Sequence, residues 1–532
     1  MLDPVEAREA ITSGRTALGI ELGSTRIKAV LIDQAHQVLA VGGHEWENQF
    51  VDRTWTYSLD AVWAGIQGCF ADLADQVQQR HGCPLDKLGS LGISAMMHGY
   101  LAFDAAGNQL VPFRTWRNTN TGEASAQLGD LFEVNIPQRW SISHLYQAVL
   151  NGEEHLSRLA HLNTLAGYVH WKLSGERILG IGDASGMFPI DSVTGTYAEQ
   201  LRVRFDNLVD GRGLHVGLDQ LLPRVVRAGQ PAGRLTDTGA RLLDPSGALQ
   251  SGAPMAPPEG DAGTGMVATN SVAPRTGNVS AGTSIFAMVV LERELRSRHS
   301  ELDLVTTPAG DPVAMVHCNN GASELNSWAG VFGDFANRLG GHTDSSTIFA
   351  TLFNAALDGD ADGGGLLAYN YLSGEHNVGL TEGRPLFART PDSSLTLANF
   401  IRVQLFSMFA TLRIGMDALA QEQVQLDSLF AHGGLFKTEG VGQGILAAAL
   451  NTEISVGEVA AEGGAWGMAV LAAFASAEPG AADLATYLRQ QVFNEAQLVT
   501  MAPDPTAVAG FNVFLERFRR GLPIEHTAIE HL

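Results

Sequence analysis

Glycine and small hydroxyl residues recur in three short segments of this chain, 21-ELGST-25, 280-SAGTS-284 and 433-GGLFK-437. In the first two, Gly23-Ser24-Thr25 and Gly282-Thr283 fall between apolar runs that read as strands. A strand–turn–strand of this kind leaves backbone N–H groups outside the ladder, where they can converge on an anion such as a phosphate. The third lies in 430-FAHGGLFKTEGVGQGILAAAL-450, which follows a strand and opens a helix, so the backbone at Gly433 and Gly434 can approach a ligand closely. A carboxylate, Glu21, stands just ahead of the first turn, and Asp261 stands among the glycines of 259-EGDAGTG-265. Arg26 and Lys28 follow the first turn and can offset phosphate charge, a solvated strand face being the alternative for Lys28.

The elements that must position these residues follow from the apolar pattern. Residues 17–24, 27–33 and 37–46 read as three successive strands, residues 59–79 as a helix and 89–104 as one further strand. This is an α/β pattern without the strict βαβ alternation of a dinucleotide-binding fold. Residues 120–230 read as mostly helical, with 181-IGDASG-186 as a loop, and the Pro- and Gly-rich stretch 251–275 as the approach to a domain boundary at about 265–275. The segment SAGTSIFAMVVL beside ELGSTRIKAVLI is a weak internal repeat at long spacing. It reads as two halves on one core plan, or as two unrelated hairpins. Gly442, Gly444 and Ala447 satisfy GxGxxA inside a helix-like run rather than at a strand end, which speaks against a Rossmann site. No glycine precedes Lys437, so the P-loop pattern fails. The run 461-AEGGAWGMAVLAAF-474 reads as a buried helix, with Gly464, Ala465 and Gly467 there for close packing.

Composition limits the functions available. A chain of 532 residues, 45% apolar and 17% charged, has material for two large cores. A net charge of -23 argues against a nucleic-acid partner, which needs a basic surface to displace counterions. Cys69, Cys83 and Cys318 are far apart with no CxxC pair, so neither a disulfide framework nor a zinc site is expected, and His432 and Cys318 lack partners at metal-ligand spacing. The N-terminus carries no apolar targeting segment and no run approaches the roughly 18 apolar residues of a membrane span. A cytoplasmic protein without a membrane partner is expected.

Taken in order, ELGST, 96-MMHG-99, EGDAGTG, SAGTS, 371-YLSGE-375 and GGLFK resemble the FGGY sugar kinases over nearly the whole chain, with the MHG closest to the xylulose kinases. The resemblance implies two actin-like, ribonuclease-H-type α/β domains, residues 1–270 and 271–532, flanking a deep catalytic cleft. Sugar would bind mainly to the first and ATP mainly to the second. It implies Asp261 as general base, Met97, His98 and Trp116 with Asp261 on the sugar, and Glu21 with Asp261 facing Mg2+. Gly23, Ser24, Thr25, Lys28, Gly282, Thr283, Gly433, Gly434 and Lys437 would lie on the nucleotide. The implied reaction is transfer of the γ-phosphoryl group of Mg-ATP to a ketose, first a ketopentose such as D-xylulose.

The residues leave alternatives open. Asp261 alone also reads as an Asx-turn carboxylate, and His98 alone as a structural hydrogen-bonder. Glu21 stands where the family usually has Asp, and 116-WRNTNT-121 replaces the family's Trp-Asn-Asp-x-Arg, so another ketose or polyol, such as ribulose, a ketohexose or a glycerol-like polyol, is the alternative acceptor. A non-catalytic sugar- or nucleotide-binding regulator on the same fold and an actin- or chaperone-like ATPase are the other classes. A homodimer stays open.

Overall fold

Alternating and continuous apolar runs in the first 100 residues build a five-stranded sheet. In the computed structural model, which describes residues 3–341, 343–457, 463–477 and 482–532, β1 (Ala17–Leu22), β2 (Arg26–Ile32) and β3 (Val38–Glu45) form an antiparallel meander. Helix α1 (Leu59–His81), capped by Ser58, follows, and β4 (Ser90–Ala95) then pairs parallel with β1. The strand expected across 89–104 is in fact two. The chain breaks at Met96–Tyr100, where His98 has φ +70° and Gly99 φ +90°, and resumes as β5 (Leu101–Phe103) in another sheet. A left-handed pair of residues cannot continue a pleat.

The segment 181–186, expected as a loop, is a short helix, α2 (Ile181–Ser185). Its glycines are not in left-handed conformations; Gly182 serves close approach, since a Cβ there would lie 2.4 Å from Glu259 Oε2. Asp261, within the Pro- and Gly-rich stretch 251–275, is the first residue of helix α3 (Asp261–Ala268), directly after the two-residue strand β6 (Glu259–Gly260). The first sheet has the order β6-β4-β1-β2-β3.

The second sheet has seven strands. They are β7 (Thr276–Ala281), β8 (Ile285–Val290), β9 (Asp303–Thr306), β10 (Pro312–Cys318), β11 (Ser428–His432), β12 (Glu453–Gly457) and β13 (Leu498–Met501), in the order β9-β10-β8-β7-β11-β12-β13. Helices α4 (Ser323–Arg338), α5 (Leu397–Gln421) and α6 (Val441–Leu450) accompany it. The GxGxxA positions lie inside α6. β7 pairs antiparallel with β8 and parallel with β11, just as β1 pairs antiparallel with β2 and parallel with β4. The weak repeat in the sequence thus corresponds to one pairing scheme used twice.

The chain forms two compact units. The main stretch of the first ends at Ala273, and Leu304–Val313 and Val459–Glu495 also belong to it; the second comprises Pro274–Asp303, Ala314–Glu458 and Ala496–Leu532. The expected cut at 270 is therefore followed by two returns of the chain. The second return carries α7 (Gly463–Ala475), the helix anticipated over 461–474; residues 461–462 lie outside the described residues. It packs on β1 so closely that a Cβ on Gly19 would lie 2.2 Å from the Ala465 carbonyl, and one on Gly467 would lie 2.1 Å from the Thr264 carbonyl. Leu18, Ile20, Ile27, Ala29 and Leu31 of the hairpin join Ile66, Phe70 and Leu73 of α1 in the first core. Among the described residues no helix is long and apolar enough to cross a membrane.

Candidate active site

Three parallel strands of the first unit, β1, β4 and β6, end side by side, with Glu21, Ser94 and Glu259 in one row of the register. Carboxyl ends of parallel strands are where open α/β sheets bind ligands, because the chain leaves the sheet there and exposes backbone groups. Glu21 and the 23–25 turn leave β1, Met97 and His98 leave β4, and Asp261 leaves β6.

Asp261 is joined directly to the MHG segment. Its Oδ1 accepts the Met97 amide at 3.1 Å and the Ala262 amide at 3.0 Å, which leaves Oδ2 with spare lone pairs. Its side chain is open to solvent, yet the protein packed around it raises its pKa above the ordinary carboxylate value, against the pull of those amides. Gly260 makes the approach possible, since a Cβ there would lie 2.0 Å from Met97 Cγ. His98 is buried, with Nδ1 3.3 Å from the Gly186 carbonyl and its ring stacked on Trp140 at 6.4 Å.

Glu21 lies at the amino end of α7, where the Ala465 amide donates to it, and faces Lys28 across the hairpin. Burial first, and then the charge of Asp261, push its carboxyl up to about 7. Two carboxylates that oppose each other's ionisation in this way suit a hard divalent cation, which takes oxygen ligands and relieves the repulsion. Among the described residues no cluster of three or more His, Cys, Asp or Glu side chains that could hold a metal ion occurs.

The 23–25 turn is propped from behind. Trp46 Nε1 donates to the Gly23 carbonyl at 2.7 Å, Tyr57 Oη to the Ser24 carbonyl at 2.6 Å, and the Trp46 amide to the Thr25 carbonyl at 3.1 Å. The two rings stack at 4.2 Å. With its carbonyls engaged, the turn presents the Ser24 and Thr25 amides, from which no hydrogen bond arises among the described residues. In the second unit the Gly282-Thr283 turn and Gly433 are brought together by the β7–β11 pairing of Ser280 with His432. Gly433 has φ +116°, and a Cβ there would lie 2.2 Å from the Ala281 carbonyl, so only glycine fits. Gly434 opens a 3-10 turn, Gly434–Phe436, and Lys437 follows it, exposed.

Trp116 is not gathered in. Its indole is 37% exposed and meets the Arg117 guanidinium at 6.0 Å, with no hydrogen bond or ring contact to Asp261 or Met97 among the described residues. Asn118 is committed to the chain: its Nδ2 donates to the Trp55 carbonyl at 2.8 Å and its Oδ1 accepts the Trp55 amide at 2.9 Å.

Two buried acids near Asp261 have no role in the sequence reading. Glu259 accepts the Asp183 amide at 2.9 Å and the Gly182 amide at 3.3 Å, and burial beside Asp183 pushes its carboxyl up to about 8. Burial pushes Asp183 up to about 7; its Oδ2 accepts from Thr164 Oγ1 at 2.6 Å. Their sequence signal is slight: an acid flanked by glycine within an apolar stretch, which is also how a surface turn reads.

The chain matches the N-terminal domain of the FGGY family of carbohydrate kinases over residues 16–245 and its C-terminal domain over residues 277–476. It belongs to that family of ATP-using phosphotransferases. In fold it is similar to xylulose kinase from Rhodospirillum rubrum, with TM-score 0.79, 19% identity and coverage of 97% of this chain and 100% of that one. It is also similar to gluconate kinase from Lactobacillus acidophilus, with TM-score 0.77, 16% identity and coverage of 95% and 97%. A third similar structure is glycerol kinase from Plasmodium falciparum with ADP, with TM-score 0.72, 13% identity and coverage of 94% and 98%.

Proposed function

We propose that this carbohydrate kinase transfers the γ-phosphoryl group of ATP to a hydroxyl of a ketose, with a ketopentose such as D-xylulose as first choice. The observation that carries the reading is the hydrogen bond from the Met97 amide to Asp261 Oδ1, which ties the sugar-side MHG segment to the candidate base. Asp261 Oδ2 takes the proton of the acceptor hydroxyl as its oxygen bonds to the γ-phosphorus and the bond to the β-phosphate oxygen breaks, releasing ADP. The Ser24 and Thr25 amides, and the backbone at Gly282-Thr283 and Gly433-Gly434, are read as donors to phosphate. Glu21 and Asp261 would hold Mg2+, which when bound neutralises phosphate charge. Lys28, opposite Glu21, offsets charge on the same hairpin.

One observation favours a different acceptor. The engagement of Asn118 by Trp55 removes from the sugar side the residue standing at the family's customary Asp, which suits another ketose or a polyol. ADP release measured against ketopentoses, ketohexoses, gluconate, glycerol and other polyols, with Asp261→Asn as control, separates the readings. Stimulation by D-xylulose that the control abolishes supports the first. Stimulation by another acceptor alone replaces it, and ATP binding with no stimulation by any acceptor favours a binding protein.

A further inference from the structure

Behind the Gly282-Thr283 turn lies a carboxylate that the proposed reaction does not use. The turn's carbonyls are held by the next segment of the second unit: Gly321 N–H donates to the Thr283 carbonyl at 2.8 Å and Ala322 N–H to the Gly282 carbonyl at 2.9 Å. Contact is close enough that a Cβ on Gly321 would lie 2.4 Å from the Gly282 carbonyl. What holds Gly321 is its neighbour Asn320, buried at the end of β10. The Asn320 amide and its Nδ2 both donate to Glu375 Oε2, at 3.2 and 3.1 Å, while its Oδ1 accepts the Leu372 and Ser373 amides at 2.9 and 3.0 Å. Asn370 Nδ2 donates to the Asn320 and Gly321 carbonyls at 3.1 and 3.0 Å.

Glu375 is fully buried, in the 371-YLSGE-375 stretch. Its second oxygen, Oε1, lies 3.4 Å from Asn377 Nδ2. A buried carboxylate is retained at a cost in desolvation, so its hydrogen bonds must hold something whose displacement matters. The chain of contacts runs from Glu375 through Asn320 and Gly321 to the turn without a gap.

We propose that Glu375 is a positioning residue for nucleotide binding: by fixing Asn320 it sets where the Gly282-Thr283 carbonyls sit and thereby aims the turn's amides at phosphate. The inference rests on reading that turn as a phosphate site. Glu375→Met keeps the volume and removes both acceptors, whereas Glu375→Gln keeps one acceptor oxygen for Asn320.

The test is ADP binding by calorimetry on the full chain, together with KM for ATP, KM for the sugar and kcat. Glu375→Met is expected to weaken ADP binding and raise KM for ATP by about tenfold, the effect of losing one charge-assisted hydrogen bond. Sugar KM is expected to stay as it was, and Glu375→Gln to recover most of the loss. Should Glu375→Met not fold, Asn320→Ala, which removes the side-chain half of the link and leaves the backbone amide on Glu375, is expected to shift ADP binding in the same direction by a smaller factor. Unchanged ADP affinity in the folded variant, or a parallel loss of every parameter that Gln does not rescue, overturns the proposal. Gly282→Val distinguishes its failure from that of the underlying reading. Its new Cβ has open space, with the nearest atom, the Ser284 carbonyl oxygen, at 3.9 Å. If Gly282→Val weakens ADP while the Glu375 variants do not, the positioning role alone falls; if Gly282→Val also leaves ADP binding intact, the phosphate-turn reading falls with it.

Discussion

The β1–β2 and β7–β8 hairpins share a backbone plan, yet the same register position carries different chemistry in each. Two residues before the turn glycine, the first hairpin has Glu21 opposite Lys28, and the second has Ser280 opposite Phe286. The supports differ as well: stacked Trp46 and Tyr57 hold the first turn, and the Asn320–Glu375 network, through Gly321 and Ala322, holds the second. One backbone shape therefore occurs twice, and the side chain at a single register position differs between the copies, a carboxylate in the first and a hydroxyl in the second. Asp261 extends the asymmetry, because it stands with Glu21 in the first unit.

If the chemistry belongs to the first unit, Asp261→Asn should lower kcat by about 10²- to 10⁴-fold while leaving ADP affinity near the wild-type value, as losing a general base does. A matching loss of ADP affinity in a binding titration would erase the division of labour. The next largest effect is on pH. Glu21, with its carboxyl near 7, takes up a proton as pH falls through that value, so kcat should drop about tenfold per unit below it. Excess Mg2+ should move this limb to lower pH, and a kcat profile flat from pH 8 to 5 would remove Glu21 from the site.

Gly433→Ala probes the second hairpin's neighbour. A side chain at φ +116°, with its Cβ on the Ala281 carbonyl, should cost about 1–3 kcal/mol and lower the melting temperature by several degrees, whereas Gly282→Ala should leave it unchanged. Equal melting temperatures would mean the close approach at Gly433 is dispensable.

Asp183 gives a smaller effect on stability. A carboxyl raised in the folded state contributes stability below its unfolded pKa and loses it as pH rises through the folded value, here about 7 for Asp183 and about 8 for Glu259. Asp183→Asn should therefore melt above the wild type at pH 8, with the gap closing toward pH 5, and a gap independent of pH would contradict the assignment. Tyr57→Phe should have the smallest effect. Loss of one hydrogen bond to the Ser24 carbonyl should weaken ATP by about two- to tenfold, which KM for ATP measures.

Much of the candidate site was legible in residue types. The Gly-Ser-Thr turns, the MHG and Asp261 are local signals, and local signals survive in a linear reading because turn chemistry depends on adjacent residues. The supports were not legible. Trp46 and Tyr57 lie 21 and 33 residues from the carbonyls of Thr25 and Ser24 that they hold, and Glu375 lies 55 residues from Asn320. Nothing in the spacing of such partners repeats, so they look like any aromatic or acid.

The sequence by itself determined the α/β class, the two hairpins with their Gly-bearing turns and an acid within a Gly-rich stretch, because strand periodicity and glycine placement are written in neighbouring positions. Only the tertiary structure decided that β4 breaks at Met96–Tyr100, that α7 returns from the far end of the chain to lie on β1, and that Asp261 opens a helix with its Oδ1 held by Met97. Those outcomes depend on backbones approaching to within contact across long stretches of chain, which burial and parallel pairing select and which no local pattern encodes.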